Sequence, residues 1–238
     1  MAILVRCGTL SDSFSFCMKS MTNFNYLFLV CVFLGLQMAQ GTIIAAKCTD
    51  GILLGYDSLE TMGGSTMVSQ RYSQKVHRVN PTTFLCFPTE SVESHLLCKD
   101  LRTEARSSSR GYSVLSTKAL SHCAHKLIQS KYQSTHAIIV GCEGTVSSSE
   151  PEYRIFEILP GGTIMERDMA MAGTGADGLS MILGDIGDGK KSFEDTNVLV
   201  QKALKTVRNH DMRTGGNLRI NLLRSSAQSS MPQTLEIE

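Results

Sequence analysis

Thr42 and Asp57 are the pair whose types and spacing could do chemistry. Residues 43–47 and 52–56 read as two short strands around a tight turn at Thr49-Asp50-Gly51. That hairpin sets a threonine at the head of one strand and a carboxylate at the end of its neighbour. A threonine hydroxyl is a weak nucleophile unless a base sits beside it. A free α-amine on the same residue is such a base, the activation used by N-terminal threonine nucleophiles. The amine is free only if everything before Thr42 is removed.

Residues 1–41 differ from the rest of the chain. They carry an apolar run from Tyr26 to Leu36, preceded by Lys19 and followed by the small residues Ala39 and Gly41. This is the pattern of a signal-peptide core with a small-x-small cleavage site, and it is short for a transmembrane helix. A secretory signal, a removable propeptide and a mis-assigned start all fit. Each leaves residues 42–238 as the mature domain, and cleavage after Gly41 exposes Thr42.

The 238 residues are 42% hydrophobic and 19% charged with a formal net charge of +1, enough apolar content for a substantial core. No basic face or charge run points to nucleic acid. Eight cysteines, at 7, 17, 31, 48, 86, 98, 123 and 142, form no C-x-x-C pair, so no metal or redox motif is visible. Cys86, Cys98 and Cys123 lie in apolar stretches and read as reduced, small hydrophobes.

The elements that must position Thr42 follow from periodicity. Residues 57–73 read as a polar loop containing Gly63-Gly64, with short strand segments. Residues 75–79 and 83–87 read as a hairpin about Asn80-Pro81. A helix starts at Ser91 with Val92, Leu96, Leu97 and Leu101 on its apolar side. A second spans 113–129 with Ala119-Leu120, Cys123-Ala124 and Leu127-Ile128 at helical spacing. Strands at 136–140 and 153–158 flank a serine-rich turn, and a short strand follows Pro160-Gly161-Gly162. A helix follows Gly173-Thr174-Gly175-Ala176 and ends near Gly184. Another spans 195–209 with Val198, Leu199, Ala203, Leu204 and Val207 inward, and a strand covers 218–223. The order is strands, two helices, strands, two helices, strand, which is not alternating βαβ. Two antiparallel sheets with helix pairs on their outer faces would bury every stripe, an α/β four-layer αββα sandwich.

Together these residues resemble the proteasome β-subunit family of N-terminal nucleophile hydrolases. The resemblance covers roughly residues 41–225. It rests on Gly41-Thr42-Ile-Ile, Asp50 to Ser58, Gln74-Lys75-Val76, Ala172-Gly-Thr-Gly175 and His210 to Gly216 occurring in this order. It implies a threonine-type endopeptidase acting through an acyl-enzyme ester. Thr42 would be the nucleophile. Lys75 would sit near the hydroxyl and lower its pKa. Asp57 would pair with Lys75, and Asp211 and Thr214 would orient the amine through hydrogen bonds, with Thr174 nearby. Phe87, Ser91, Ser73, Glu60 and His77 would line the substrate pocket, and Thr89 would stand at the oxyanion hole. His77 reads, from its own surroundings, as a structural histidine. No metal or organic cofactor is implied. The implied partners are other α- and β-type subunits in stacked heptameric rings, with unfolded polypeptides as substrates and no nucleic acid or membrane. A zymogen of the cytoplasm and nucleus is implied as well.

Three departures accompany the resemblance. Asp57 lies one residue closer to Thr42 than in active members, so an ungapped reading puts Gly41 on the catalytic position. A deletion in the turn at 48–50 would instead keep Thr42 there. A one-residue slip in a strand turns the side chain to the opposite face. Thr89 stands where active members have glycine, and Leu59 replaces a common arginine. Two expectations therefore stand side by side, a catalytic β-type subunit and a silent one that shapes the chamber wall. A secreted N-terminal nucleophile amidohydrolase, suggested by the Tyr26–Leu36 run, is the third.

Overall fold

The computed structural model describes residues 41–61, 66–108, 114–143, 151–184, 190–224 and 235–237. The expectations for residues 1–40, for Gly63-Gly64 and for the serine-rich turn lie outside them.

The first hairpin forms as expected, its two largely apolar strands buried on both faces. Strand β1 (Thr42–Cys48) pairs antiparallel with β2 (Gly51–Asp57), with Ile43 opposite Tyr56. A small ribbon follows, β3 (Glu60–Thr61) with β4 (Val68–Gln70). The second hairpin is β5 (Val76–Arg78) with β6 (Thr83–Cys86). Helices α1 (Val92–Ser108) and α2 (Thr117–Ser130) come next, then β7 (Ala137–Glu143), β8 (Glu152–Ile158), β9 (Ile164–Arg167) and β10 (Met169–Gly173). Helices α3 (Ala176–Leu183) and α4 (Phe193–His210) precede β11 (Leu218–Leu223) and β12 (Leu235–Ile237). One five-stranded antiparallel sheet runs β10-β1-β2-β11-β12 and the other β5-β6-β7-β8-β9.

Helix starts are set by serine caps. Ser116 Oγ accepts from the Ala119 N–H and Ser192 Oγ from the Asp195 N–H. At α1, Ser91 Oγ accepts from the Ser94 N–H while Ser94 Oγ accepts from the Ser91 N–H, a reciprocal cap that satisfies two orphan donors. The second helix accordingly begins at Thr117, after the cap, and not at Ser113.

Burial falls into three clusters. One joins Ile43, Ala45, Ile52 and Leu54 of the first sheet to Val76, Phe84, Ile138 and Ile155 of the second. Another sets Leu85, Ala137 and Ile139 against Leu97, Leu101, Leu120 and Ile128 of α1 and α2. The third sets Ile44, Leu53, Leu218 and Ile220 against Leu179, Leu183, Val200 and Leu204 of α3 and α4.

Two helix faces differ from expectation. Val92 and Leu96 are 77% and 43% exposed, and Leu97, Cys98, Leu101 and Ala105 form the inward stripe of α1. In α4, Val198 is 65% exposed and Val200 is buried. Each sequence admits two adjacent apolar stripes, and packing on the sheet selects one. Cys48, Cys86, Cys98 and Cys142 are buried and Cys123 is half-buried, none of them in a disulfide. Burial alone pushes the Cys86 thiol far above its ordinary value, so it is an inert hydrophobe. Among the described residues no helix is long and apolar enough to cross a membrane.

Candidate active site

Strand phase decides what the head of β1 presents. Ile43 and Ala45 face the second sheet, and Ile44 faces α3 and α4. Successive side chains alternate, so Thr42 shares the phase of Ile44 and faces the helices. Its Oγ meets Thr214 Oγ at 2.5 Å and accepts the Gly175 N–H at 3.2 Å, where the turn after β10 enters α3. Thr42 is fully buried there.

Lys75 lies on the other side of the same backbone. It precedes β5, is fully buried, and donates from Nζ to Asp57 Oδ1 at 2.5 Å and to the Leu59 carbonyl at 3.1 Å. Asp57, at the end of β2, is also fully buried and accepts three donors. Oδ1 takes Lys75 and the Thr42 N–H at 2.6 Å, and Oδ2 takes the Gly215 N–H at 2.9 Å.

Gly41 is the residue that faces this ion pair. A Cβ built on it would lie 1.9 Å from Lys75 Nζ and 2.9 Å from Asp57 Oδ1. Its φ of +77° belongs to the left-handed region that glycine adopts without penalty. Its carbonyl accepts the Thr174 N–H at 2.9 Å and faces Gly173, where a Cβ would stand 2.0 Å from that oxygen. Gly41 is thus bonded through its carbonyl on one side and closely packed against the ion pair on the other.

The remaining expected residues form two groups. Thr174 Oγ and Thr214 Oγ donate to Asp211 Oδ2 at 2.6 and 2.7 Å, and the Arg213 N–H bonds Oδ1. Of these, Thr214 meets the Thr42 hydroxyl on the face away from Lys75, whereas the Thr42 N–H, which Asp211 and Thr214 were expected to orient, bonds Asp57 instead. Burial acts to raise the Asp211 pKa. The bonds from Thr174, Thr214 and the Arg213 N–H, with the Arg213 charge, outweigh it and hold the carboxyl below its ordinary value. A depressed pKa adds stability that is fully present above the unfolded value, about 3.9, and is lost as pH falls through the folded one. The gap in urea midpoint between wild type and Asp211→Asn is therefore expected to be constant above about pH 5 and to shrink below about pH 4. A gap independent of pH contradicts the assignment.

Phe87, Glu60, Ser73, His77, Thr89 and Ser91 lie together around the β6–α1 loop. Phe87 is buried, with its N–H on the Lys75 carbonyl at 2.9 Å and its ring 5.9 Å from His77. Burial, with the charges of His95 and Arg102, lowers the His77 pKa against the opposing pull of Glu90. Burial raises the Glu60 pKa, and the charge of Glu90 adds to it. Thr89 is half-buried and Ser91 exposed. Glu90, which sequence reasoning passed over, connects this group. Ser58 was passed over too. Its Oγ donates to the Arg71 carbonyl and accepts the Asn217 N–H, which fixes the turns on either side of Asp57. A serine or glutamate in a loop carries no periodic signal.

A model of the proteasome subunit family matches residues 38–223. The chain belongs to that family. Relatives agree on the type of subunit. "Probable proteasome subunit beta type-1" of Encephalitozoon cuniculi is 28% identical over 191 residues, 79% of this chain and 89% of that protein. "Proteasome subunit beta" of Haloferax volcanii is 27% identical over 181 residues, 75% of this chain and 71% of that protein. The chain is a β-type proteasome subunit, a component of the 20S core that assembles with other proteasome subunits.

Proposed function

We propose that this β-type subunit builds the wall of the proteolytic chamber and does not itself cut peptides. The observation that carries this reading is that, among the described residues, the position beside Lys75 Nζ belongs to Gly41, which has no side chain and so no hydroxyl. Lysine can assist only a hydroxyl that it faces. The Thr42 hydroxyl bonds instead to Thr214 and Gly175 on the opposite face. Exchanging the two requires β1 to slip by one residue, which would also turn Ile43 and Ile44 to the wrong faces.

The same reading gives Asp57 and Lys75 a structural role. The pair joins β2, the entry to β5 and the turn before β11, and so holds the sheet ends together. The three burial clusters support the αββα arrangement of the family. In the particle, this subunit would occupy one place in stacked heptameric rings of the cytoplasm and nucleus, beside subunits that degrade unfolded polypeptides.

The test treats the assembled particle with an electrophile that captures the hydroxyl and amine of an N-terminal threonine. Subunits with a working site are expected to acquire the adduct, and this chain is expected to remain at its unmodified mass. An adduct on Thr42 would falsify the proposal.

A further inference from the structure

At the head of β1 a buried ammonium and a main-chain nitrogen share one carboxylate oxygen. Asp57 Oδ1 accepts Lys75 Nζ at 2.5 Å and the Thr42 N–H at 2.6 Å, and Oδ2 accepts the Gly215 N–H at 2.9 Å. Thr42, Asp57 and Lys75 are each fully buried. Because the Thr42 nitrogen is an amide, it donates to Asp57 without adding charge, and the pair stays balanced. The carbonyl of the same peptide group, that of Gly41, accepts the Thr174 N–H at 2.9 Å. The other charged groups nearby are Asp211 and Arg213, in the turn before β11. One Asp211 oxygen takes the Thr174 and Thr214 hydroxyls and the other takes the Arg213 N–H, with the Arg213 charge beside them. The Lys75 charge also reaches Glu60 of β3.

We propose that the head of β1 is built for an amide nitrogen at Thr42, and that cutting the 41–42 bond loosens it by burying a second cation beside Lys75. It rests on the silent reading of this subunit and means that the fold opposes the cleavage that would free the Thr42 amine. Hydrolysis of the bond adds one water. The carboxylate it creates leaves with residues 1–41. The ammonium it creates stays on Thr42, against the Asp57 oxygen that already holds Lys75. Burial and a like charge nearby both disfavour the charged form of an amine. A buried charge without its own partner is strongly destabilising. Asp211 is joined to Thr42 through the Thr214 hydroxyl, at the side chain and not at the nitrogen. An α-amine in an unfolded chain carries its proton below about pH 8. A folded chain that sheds this proton binds fewer than the unfolded one, so its stability falls as the pH drops through that value.

The experiment uses assembled 20S cores that carry this subunit as the full chain, as a chain beginning at Thr42 with a free amine, and as a chain beginning at N-acetyl-Thr42. The acetyl group restores the carbonyl and the N–H of the 41–42 peptide group and adds no charge. Hydrogen exchange is followed in the peptides covering 42–48 and 173–178, each form against the full chain at the same pH. The free-amine chain is expected to exchange at least about tenfold faster at about pH 6.5 and to come within about threefold at about pH 9.5. The acetylated chain is expected to stay within about threefold at both. Lys75→Met in the free-amine chain is expected to restore protection at the lower pH, because the ammonium then takes over Asp57. A free-amine chain as protected as the full chain at both pH values, or no rescue by Lys75→Met, overturns the proposal. An acetylated chain loosened as much as the free-amine chain overturns it too, since the lost residues and not the charge would be the cause. Failure of the free-amine chain alone to assemble supports it, and failure of both shortened chains counts against it. No threonine-directed label enters these readouts, so an adduct on Thr42 and a pH-independent head of β1 are separate failures.

Discussion

Asp57→Ala is expected to destabilise this chain by about 3–5 kcal/mol, the effect of breaking a buried ion pair by removing one partner. The carboxylate accepts Lys75 Nζ and the N–H groups of Thr42 and Gly215. Its loss leaves a fully buried ammonium with the Leu59 carbonyl as its one acceptor among the described residues. It also orphans two buried backbone donors, each worth about 1–3 kcal/mol when unsatisfied. Lys75→Met is expected to do less harm, because the remaining carboxylate keeps both N–H donors and the methionine fills the volume. Denaturant midpoints of the two variants give the order directly. A neutral Asp57→Ala would mean that the pair holds nothing together.

Gly41→Thr has the second large effect, and its direction separates the two readings of the chain. Supplying a hydroxyl to the position beside Lys75 is the obvious repair. The backbone there has φ +77°, where a β-branched residue is a genuine outlier. The new Cβ would lie 1.9 Å from Lys75 Nζ, so the ammonium must leave its bond to Asp57. Backbone strain of about 1–3 kcal/mol is thus added to partial loss of a buried ion pair. The expected result is a less stable subunit that acquires no threonine-directed label. A stable variant that takes the label would show that Lys75 is free to withdraw and that the site needs only a hydroxyl.

How much of this was legible in the sequence depends on the residue. The β1–β2 hairpin was readable because its two short apolar runs and the turn at Asp50-Gly51 act locally. Asp57 was readable as the end of that hairpin, but Lys75, Thr174, Asp211 and Thr214 only through the resemblance, since they come from three further, separated segments. The phase of Thr42 was not readable. A 15-residue separation from Asp57 suits either a deletion in the turn or a shifted strand head. Only the packing of Ile43 and Ile44 on opposite layers distinguishes the two. The helix faces failed where two apolar stripes adjoin, as at Val92 and Leu96 against Leu97 and Leu101. Glu90 was invisible because a loop glutamate ordinarily points to solvent, and its partners Ser73, Gln74 and Glu60 are distant in sequence.

The head of β1 carries the account, so its covalent state in the assembled particle is the measurement to make. The N-terminal residue of this chain, read by mass spectrometry from purified 20S cores, is expected to lie upstream of Thr42. Gly41 would then remain, with its carbonyl on the Thr174 N–H and its α-carbon against Lys75. A chain that begins at Thr42 with a free amine would contradict this. It would mean that the Gly41 contacts are broken on maturation and that Thr42 is left as the nucleophile.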